Sequence, residues 1–154
     1  MRETGYPMTT DAIGIDHLYI TVADLKVSER YYDTLMPLMG FKKAHAPIGG
    51  DPHVHYYCRH YGFSLRPARS AQRHDPYAPG LHHFCFRLEN VEDIDALFEK
   101  IKAKGLSVST PKFYPEYTPG YYAIFFEDPD GIRLEATNYR AQRKRHLSDW
   151  ENVT

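Results

Sequence analysis

Residues 14–22 read GIDHLYITV, and residues 80–88 read GLHHFCFRL. Both segments begin at a glycine, carry a histidine at their fourth position and then alternate apolar with more polar side chains. A period of two predicts a β-strand that buries one face and leaves the other open. The chain therefore contains two equivalent strands, and His17 and His83 occupy matching positions in them.

A helix is predicted after each of these strands. In the second copy the apolar residues recur with helical spacing, and a glycine at position 105 ends the pattern. This stripe consists of Ile94, Leu97, Phe98 and Ile101. In the first copy Asp24 is a candidate N-cap, and Pro37 followed by Gly40 ends a weaker stripe.

The end of each copy reads as three strands. In the second copy the turn sequence EDPDG at residues 127–131 separates segments 121–126 and 132–136, which predicts a hairpin. Aligning Gly62 with Gly131 places Arg66 opposite Glu135. Each copy is therefore predicted to be a β-α-β-β-β unit.

These units predict an α+β fold with one domain at residues 14–138, formed by a first repeat at about 14–69 and a second at about 80–138. We expect them to form a concave, barrel-like mixed sheet with the helices on the outside. Residues 1–13 are predicted to be an arm and 139–154 an extension docked by Trp150. Strand parity assigns these residues to the concave face: His17, Tyr19, Arg66, His83, Cys85, Arg133 and Glu135.

Charge and composition exclude several classes of partner. The net charge of −1 provides no broad basic field, so we expect neither a nucleic-acid nor a membrane partner. No apolar run is long enough to span a bilayer and no secretory leader is recognisable, which favours a cytoplasmic protein. Cys58 and Cys85 are expected to be free thiols.

The chain resembles the vicinal oxygen chelate superfamily, which includes glyoxalases, bleomycin-resistance proteins, fosfomycin-resistance enzymes, methylmalonyl-CoA epimerases and extradiol dioxygenases. The resemblance covers residues 14 to 138. It rests on the sequence DHLYITVADL at residues 16–25, which leads into a Tyr-Tyr helix, on the second histidine strand, and on DPDG at 128–131 followed by Glu135.

The resemblance implies up to four metal-ligand positions, which correspond here to His17, Arg66, His83 and Glu135. Arginine stays cationic and has no lone pair to donate, so Arg66 is not a ligand. Two imidazoles and a carboxylate remain, and this set suits one divalent ion of Fe, Mn, Zn, Ni or Co. His82 points to the other face of its strand and is expected to be structural.

The same reasoning assigns a substrate to the concave face. We expect Arg66 to bind an anionic part of a small oxygen-rich molecule, and Tyr19, Tyr56 and Tyr121 to form walls of its pocket. His53 and His55 are expected to line the pocket or face solvent. No catalytic side chain is assigned.

Three functions follow from the resemblance. The first is a glyoxalase-like metalloenzyme, acting as an isomerase, lyase or transferase with the cation as Lewis acid. The alternatives are a metal-free protein that sequesters a ligand, like bleomycin-resistance proteins, or an extradiol-type dioxygenase. We also expect a homodimer, in which the site on the concave face is formed by one chain or is shared between two chains.

Overall fold

The structure is a computed structural model that describes residues 10–45 and 49–152. Its first half consists of β1 (His17–Val22), α1 (Leu25–Leu35), a 3-10 turn (Met36–Met39), β2 (Lys42–His45), β3 (Val54–Tyr57) and β4 (Gly62–Pro67). Its second half consists of β5 (His83–Leu88), α2 (Val91–Ala103), β6 (Lys112–Phe113), β7 (Tyr122–Glu127) and β8 (Arg133–Asn138). A terminal helix, α3 (Ala141–Ser148), and a 3-10 turn (Trp150–Asn152) follow.

The strands form two four-stranded mixed sheets of identical topology. Their orders are β1-β4-β3-β2 and β5-β8-β7-β6, and in each sheet the first strand of the repeat runs parallel to the last. The α+β class and the two β-α-β-β-β repeats are therefore confirmed. Over the described residues, however, the two sheets stay separate and do not close into one barrel-like sheet.

Both helices begin at capped residues, and the first begins where the sequence predicts. The Asp24 side chain accepts a hydrogen bond from the backbone N–H of Val27 at 3.0 Å, which confirms the N-cap of α1. At the start of α2, Asn90 and Asp93 form a reciprocal capping box. The first helix ends in the 3-10 turn, and Gly40 then adopts a left-handed φ of 79°.

One apolar core joins the two halves. The ring of Phe63 on β4 is fully buried and lies 5.9 Å from Phe84 and 6.2 Å from Phe86 on β5. Tyr32 on α1 packs on the same ring at 5.2 Å. The buried faces of the two sheets thus meet, with the helices packed among them. The opposite face of each sheet, which we term the open face, combines exposed side chains on its first strand with buried polar side chains on the adjacent last strand.

The DPDG turn fastens the second half to the first. Tyr32 donates its hydroxyl hydrogen to Asp128 Oδ2 at 3.0 Å, and Asp128 Oδ1 accepts the backbone N–H groups of Asp130 and Ile132 at 2.9 Å. The Asp130 carboxylate accepts the backbone N–H of Ala23 at 2.9 Å. Burial raises the pKa of Asp128. This motif therefore has a structural role.

The C-terminal extension lies on the surface. Its predicted anchor is wrong, because Trp150 is 65% exposed and α3 buries no residue. The helix is held instead by polar contacts, such as Lys144 to Glu89 at 2.7 Å and Thr118 to Gln142 at 2.8 Å. Within the described residues, no helix is both long and apolar enough to cross a membrane.

Candidate metal centre

His83 and Glu135 lie beside each other on the open face of the second sheet. His83 begins β5, and Glu135 pairs in register with Cys85, two residues further along that strand. The Nε2 atom of His83 is 3.6 Å from Oε2 of Glu135. The His83 side chain is 47% exposed, whereas that of Glu135 is only 4% exposed. A solvent-exposed imidazole therefore lies next to a buried carboxylate.

The other oxygen of this carboxylate, Oε1, accepts a hydrogen bond. Tyr121 donates its hydroxyl hydrogen to Glu135 Oε1, and the guanidinium of Arg140 lies 4.4 Å above the Tyr121 ring. Burial, followed by the hydrogen bond to Glu135, raises the pKa of Tyr121, so the hydroxyl stays protonated at neutral pH. Oε2 is thereby left to face His83.

The pair fits a divalent cation. In the described part of the chain, Glu135 forms no salt bridge with a lysine or an arginine. Its only salt-bridge partner there is His83. A buried carboxylate that lacks a cationic partner costs free energy. An imidazole nitrogen and a carboxylate oxygen are donors that Fe, Mn, Zn, Ni and Co accept.

His17 lies on the other sheet. Its side chain is 59% exposed, and its Nδ1 lies 2.7 Å from Oδ2 of Asp16. Among residues 10–44 and 49–152, no three His, Cys, Asp or Glu side chains are grouped so that they can hold a metal ion. His17 therefore does not join His83 and Glu135 within one chain.

The strand register corrects the alignment of the repeats. β1 pairs with β4 so that Tyr19 faces Ser64, and β5 pairs with β8 so that Cys85 faces Glu135. Since His17 and His83 are equivalent, Ser64 rather than Arg66 corresponds to Glu135. The predicted alignment was wrong because it matched two glycines that have different structural roles.

Gly62 is the first residue of β4, whereas Gly131 lies in the turn before β8 with a φ of 78°. Only a residue without a Cβ adopts this left-handed conformation readily. His17 pairs with Gly62, whereas the equivalent His83 pairs with Arg133, which lies two residues after Gly131, so matching the glycines shifts the repeat by two residues. Arg66 keeps its predicted face, because a shift of two preserves strand parity.

Arg66 is part of a small charged cluster. Its Nη2 atom and that of Arg69 each lie 2.8 Å from the same carboxylate oxygen, Oδ2 of Asp51. The hydrogen bond from Arg69 is the main cause that lowers the pKa of Asp51, so this carboxylate is ionised at neutral pH. Two guanidinium groups on one carboxylate leave an excess positive charge at the edge of the open face.

The three predicted tyrosine walls lie in different environments. Tyr19 is exposed on the open face of the first sheet, with His17 at 5.5 Å between ring centres. Tyr121 lies beside Glu135. Tyr56 is 1% exposed, and its hydroxyl donates to Asp33 Oδ1 at 2.8 Å. Its assignment to the pocket is wrong, because Tyr56 shares the buried face of β3 with Val54.

Other polar residues accompany Tyr19 on the first sheet. His53 and His55 have parallel rings 5.8 Å apart, and both lie edge-on to Tyr19. His55 Nδ1 is 2.8 Å from the hydroxyl of Ser64. The sequence pattern predicted that these histidines line the pocket or face solvent. It missed Ser64 and Asp51, because their positions follow from the strand register and from a loop contact.

Cys85 is expected to resist alkylation. Burial, with Glu135 as the next cause, raises the pKa of its thiol to about 12. Because the thiolate is the nucleophile, iodoacetamide at pH 8 should modify Cys85 about 1,000-fold more slowly than a free cysteine of ordinary pKa. A Cys58→Ser chain isolates the Cys85 signal in mass spectrometry. Labelling of the folded protein at the rate of free cysteine would contradict this environment.

Comparison with known proteins agrees with the fold. Residues 14–136 match the sequence model of the Glyoxalase/Bleomycin resistance protein/Dioxygenase superfamily. The chain therefore belongs to this superfamily. Its relatives include the uncharacterized protein YqjT of Bacillus subtilis, which is 28% identical over 123 residues, covering 77% of this chain and 94% of that protein.

Two solved structures illustrate the fold. A glyoxylase/bleomycin resistance protein/dioxygenase domain from Frankia sp. EAN1pec superposes with a TM-score of 0.68 and is 25% identical in sequence. The superposition covers 84% of this chain and 100% of the Frankia domain. A mutant of the fosfomycin resistance protein FosX from Listeria monocytogenes, complexed with Mn(II) and 1S,2S-dihydroxypropylphosphonic acid, superposes with a TM-score of 0.61 at 16% identity, covering 89% and 98%. The second likeness concerns the fold alone.

Proposed function

We propose that this protein is a metal-dependent enzyme of the glyoxalase type, in which His17, His83 and Glu135 hold one divalent cation. The observation that carries the proposal is the pair formed by His83 Nε2 and Glu135 Oε2, 3.6 Å apart, with the carboxylate buried and without a lysine or arginine salt bridge in the described part of the chain. A cation between these atoms would compensate the buried charge.

His17 would reach this centre from a second chain. The buried faces of the two sheets meet within one chain through Phe63, Phe84 and Phe86, so the open faces are left for other contacts. In a homodimer, the first sheet of one chain would cover the second sheet of its partner. The two-fold axis would then create two equivalent centres.

When bound, the cation would act as a Lewis acid toward neighbouring oxygens of a small substrate. The protein would orient that substrate. Arg66 and Arg69 carry excess positive charge and can bind an anionic group through forked donors. Tyr19 would form a wall next to His17. Tyr121 would keep Glu135 in place through its hydroxyl.

Metal content tests the proposal. Chelator-treated protein titrated with Mn(II) or Co(II) should take up metal in proportion to chain concentration, and elemental analysis should return the same ratio. His17→Ala and His83→Ala chains should take up none, whereas His60→Ala, an exposed histidine on the β3–β4 turn, should behave like the parent chain. Equal uptake by all four proteins would overturn the assignment.

A metal-free protein that sequesters a ligand is the second candidate. It is favoured by one observation: Ser64, a weak metal donor, stands at the position equivalent to Glu135 and is hydrogen-bonded to His55. If the parent chain takes up no Mn(II), Co(II), Zn(II), Ni(II) or Fe(II) in the titration above, the sequestering function replaces the enzymatic one.

Arg66→Ala should weaken anion binding without removing metal. The guanidinium offers charge-assisted hydrogen bonds, each worth about 1.5–3 kcal/mol, so the Kd for inorganic phosphate should rise at least about tenfold. Calorimetry or NMR titration of the metal-loaded protein measures this change. Arg30→Ala, on the exposed side of α1, is the matched control. Unchanged phosphate affinity, or loss of metal, would instead indicate that Arg66 only holds Asp51.

A further inference from the structure

The two candidate histidine ligands share a contact that the repeats place in the same position. In each copy the residue directly before the histidine touches the Nδ1 atom of its ring. Asp16 Oδ2 lies 2.7 Å from His17 Nδ1, and His82 Nδ1 lies 2.8 Å from His83 Nδ1. The two partners are chemically different, yet both can accept a hydrogen bond from the same ring nitrogen.

The partner of His17 determines where that ring carries its proton. An ionised carboxylate has no hydrogen to donate, so the hydrogen bond requires the proton on His17 Nδ1. A neutral imidazole protonated at Nδ1 has its lone pair at Nε2. Nε2 is therefore the atom of His17 that is able to bind a cation.

The partner of His83 can impose the same state. One of the two facing Nδ1 atoms must donate and the other must accept. Glu135 Oε2, at 3.6 Å from His83 Nε2, is too distant to retain a proton there through a good hydrogen bond. A proton on His83 Nδ1 satisfies His82 and leaves the Nε2 lone pair directed toward the side where Glu135 lies.

We propose that Asp16 and His82 are equivalent positioning residues, which hold His17 and His83 in the tautomer that presents Nε2 to the metal. The inference rests on the proposed function, in which both histidines are ligands. It assigns a role to His82 that strand parity alone does not indicate. Outer-shell partners of this kind change metal affinity about 10–100-fold, which sets the size of the expected effect.

Co(II) titration tests the effect on affinity. Asp16→Ala and His82→Ala should each raise the Kd for Co(II) about 10–100-fold. Asp16→Asn and His82→Asn retain an oxygen that can accept from Nδ1–H, so both should recover most of the lost affinity. His60→Ala should leave the Kd unchanged. Parent-like affinity in both alanine variants, or no recovery in the folded asparagine variants, would overturn the proposal.

Tautomer measurement in metal-free protein separates this inference from the proposed function. Two-dimensional ¹H–¹⁵N spectra at pH 8 distinguish a protonated from an unprotonated ring nitrogen. His17 and His83 should carry their protons on Nδ1 in the parent chain and shift toward Nε2 in Asp16→Ala and His82→Ala, respectively. Protons on Nε2 in the parent chain would contradict the inference, whereas failure to bind Co(II) at all would contradict the metal centre itself.

Discussion

Replacing Glu135 with alanine should abolish metal binding and, with it, any metal-dependent activity. Glu135 supplies the only carboxylate of the proposed ligand set, and its removal leaves His83 as the single proposed ligand on the second sheet. Because even outer-shell partners change affinity about 10–100-fold, loss of a direct ligand should raise the Kd by more than about 100-fold. Titration with Mn(II), followed by elemental analysis, measures this loss.

Two further variants sharpen the experiment. Glu99→Ala removes an exposed carboxylate from α2 and should leave metal binding unchanged. Glu135→Gln keeps the shape of the side chain and an oxygen that can accept from Tyr121, but removes the charge, so it should bind metal far more weakly than the parent chain. Parent-like metal content in the Glu135→Ala protein would remove Glu135 from the ligand set.

Replacing Phe63 with alanine should produce the largest loss of stability. Its ring is fully buried and contacts aromatic rings from both repeats, namely Tyr32 at 5.2 Å, Phe84 at 5.9 Å and Phe86 at 6.2 Å. Truncation of a buried phenylalanine removes apolar burial and leaves a cavity, which costs about 3–5 kcal/mol. That cost is a large fraction of the stability of an ordinary domain.

Urea denaturation at a fixed protein concentration measures the change, since association alters apparent stability. Phe113→Ala is the matched control: this ring is more than half exposed on β6, and its loss should cost less than about 1 kcal/mol. A Phe63→Ala protein as stable as the control would show that the two repeats do not depend on this aromatic contact.

The sequence was sufficient to predict which residues share a face of a strand. The period of two placed His17, Tyr19, His83 and Glu135 on the open sides of their strands, because side-chain direction follows from backbone geometry alone. The same local rules identified Asp24 as an N-cap and the stripe of α2. These features depend only on residues close together in the chain.

Features that depend on turn geometry or docking were not predictable in this way. The alignment of Arg66 with Glu135 failed because Gly62 and Gly131 look alike in sequence while only Gly131 occupies a left-handed turn. The buried position of Tyr56 follows from the register of β3, a short strand whose start the sequence pattern did not define. The prediction of one barrel-like sheet was wrong because strand parity shows which face of a sheet a residue occupies, but not how the two sheets are arranged relative to each other.

Completion of the metal centre by two chains is the central claim. Mixed dimers of a His17→Ala chain and a Glu135→Ala chain, isolated through two different affinity tags after co-expression, test it directly. In a shared arrangement, one of the two centres receives His17 from the Glu135→Ala chain and both other ligands from the His17→Ala chain. Such dimers should bind about half the metal of the parent dimer, although each variant alone binds none. Mixed dimers without metal, beside a parent dimer that is fully loaded, would contradict the shared centre.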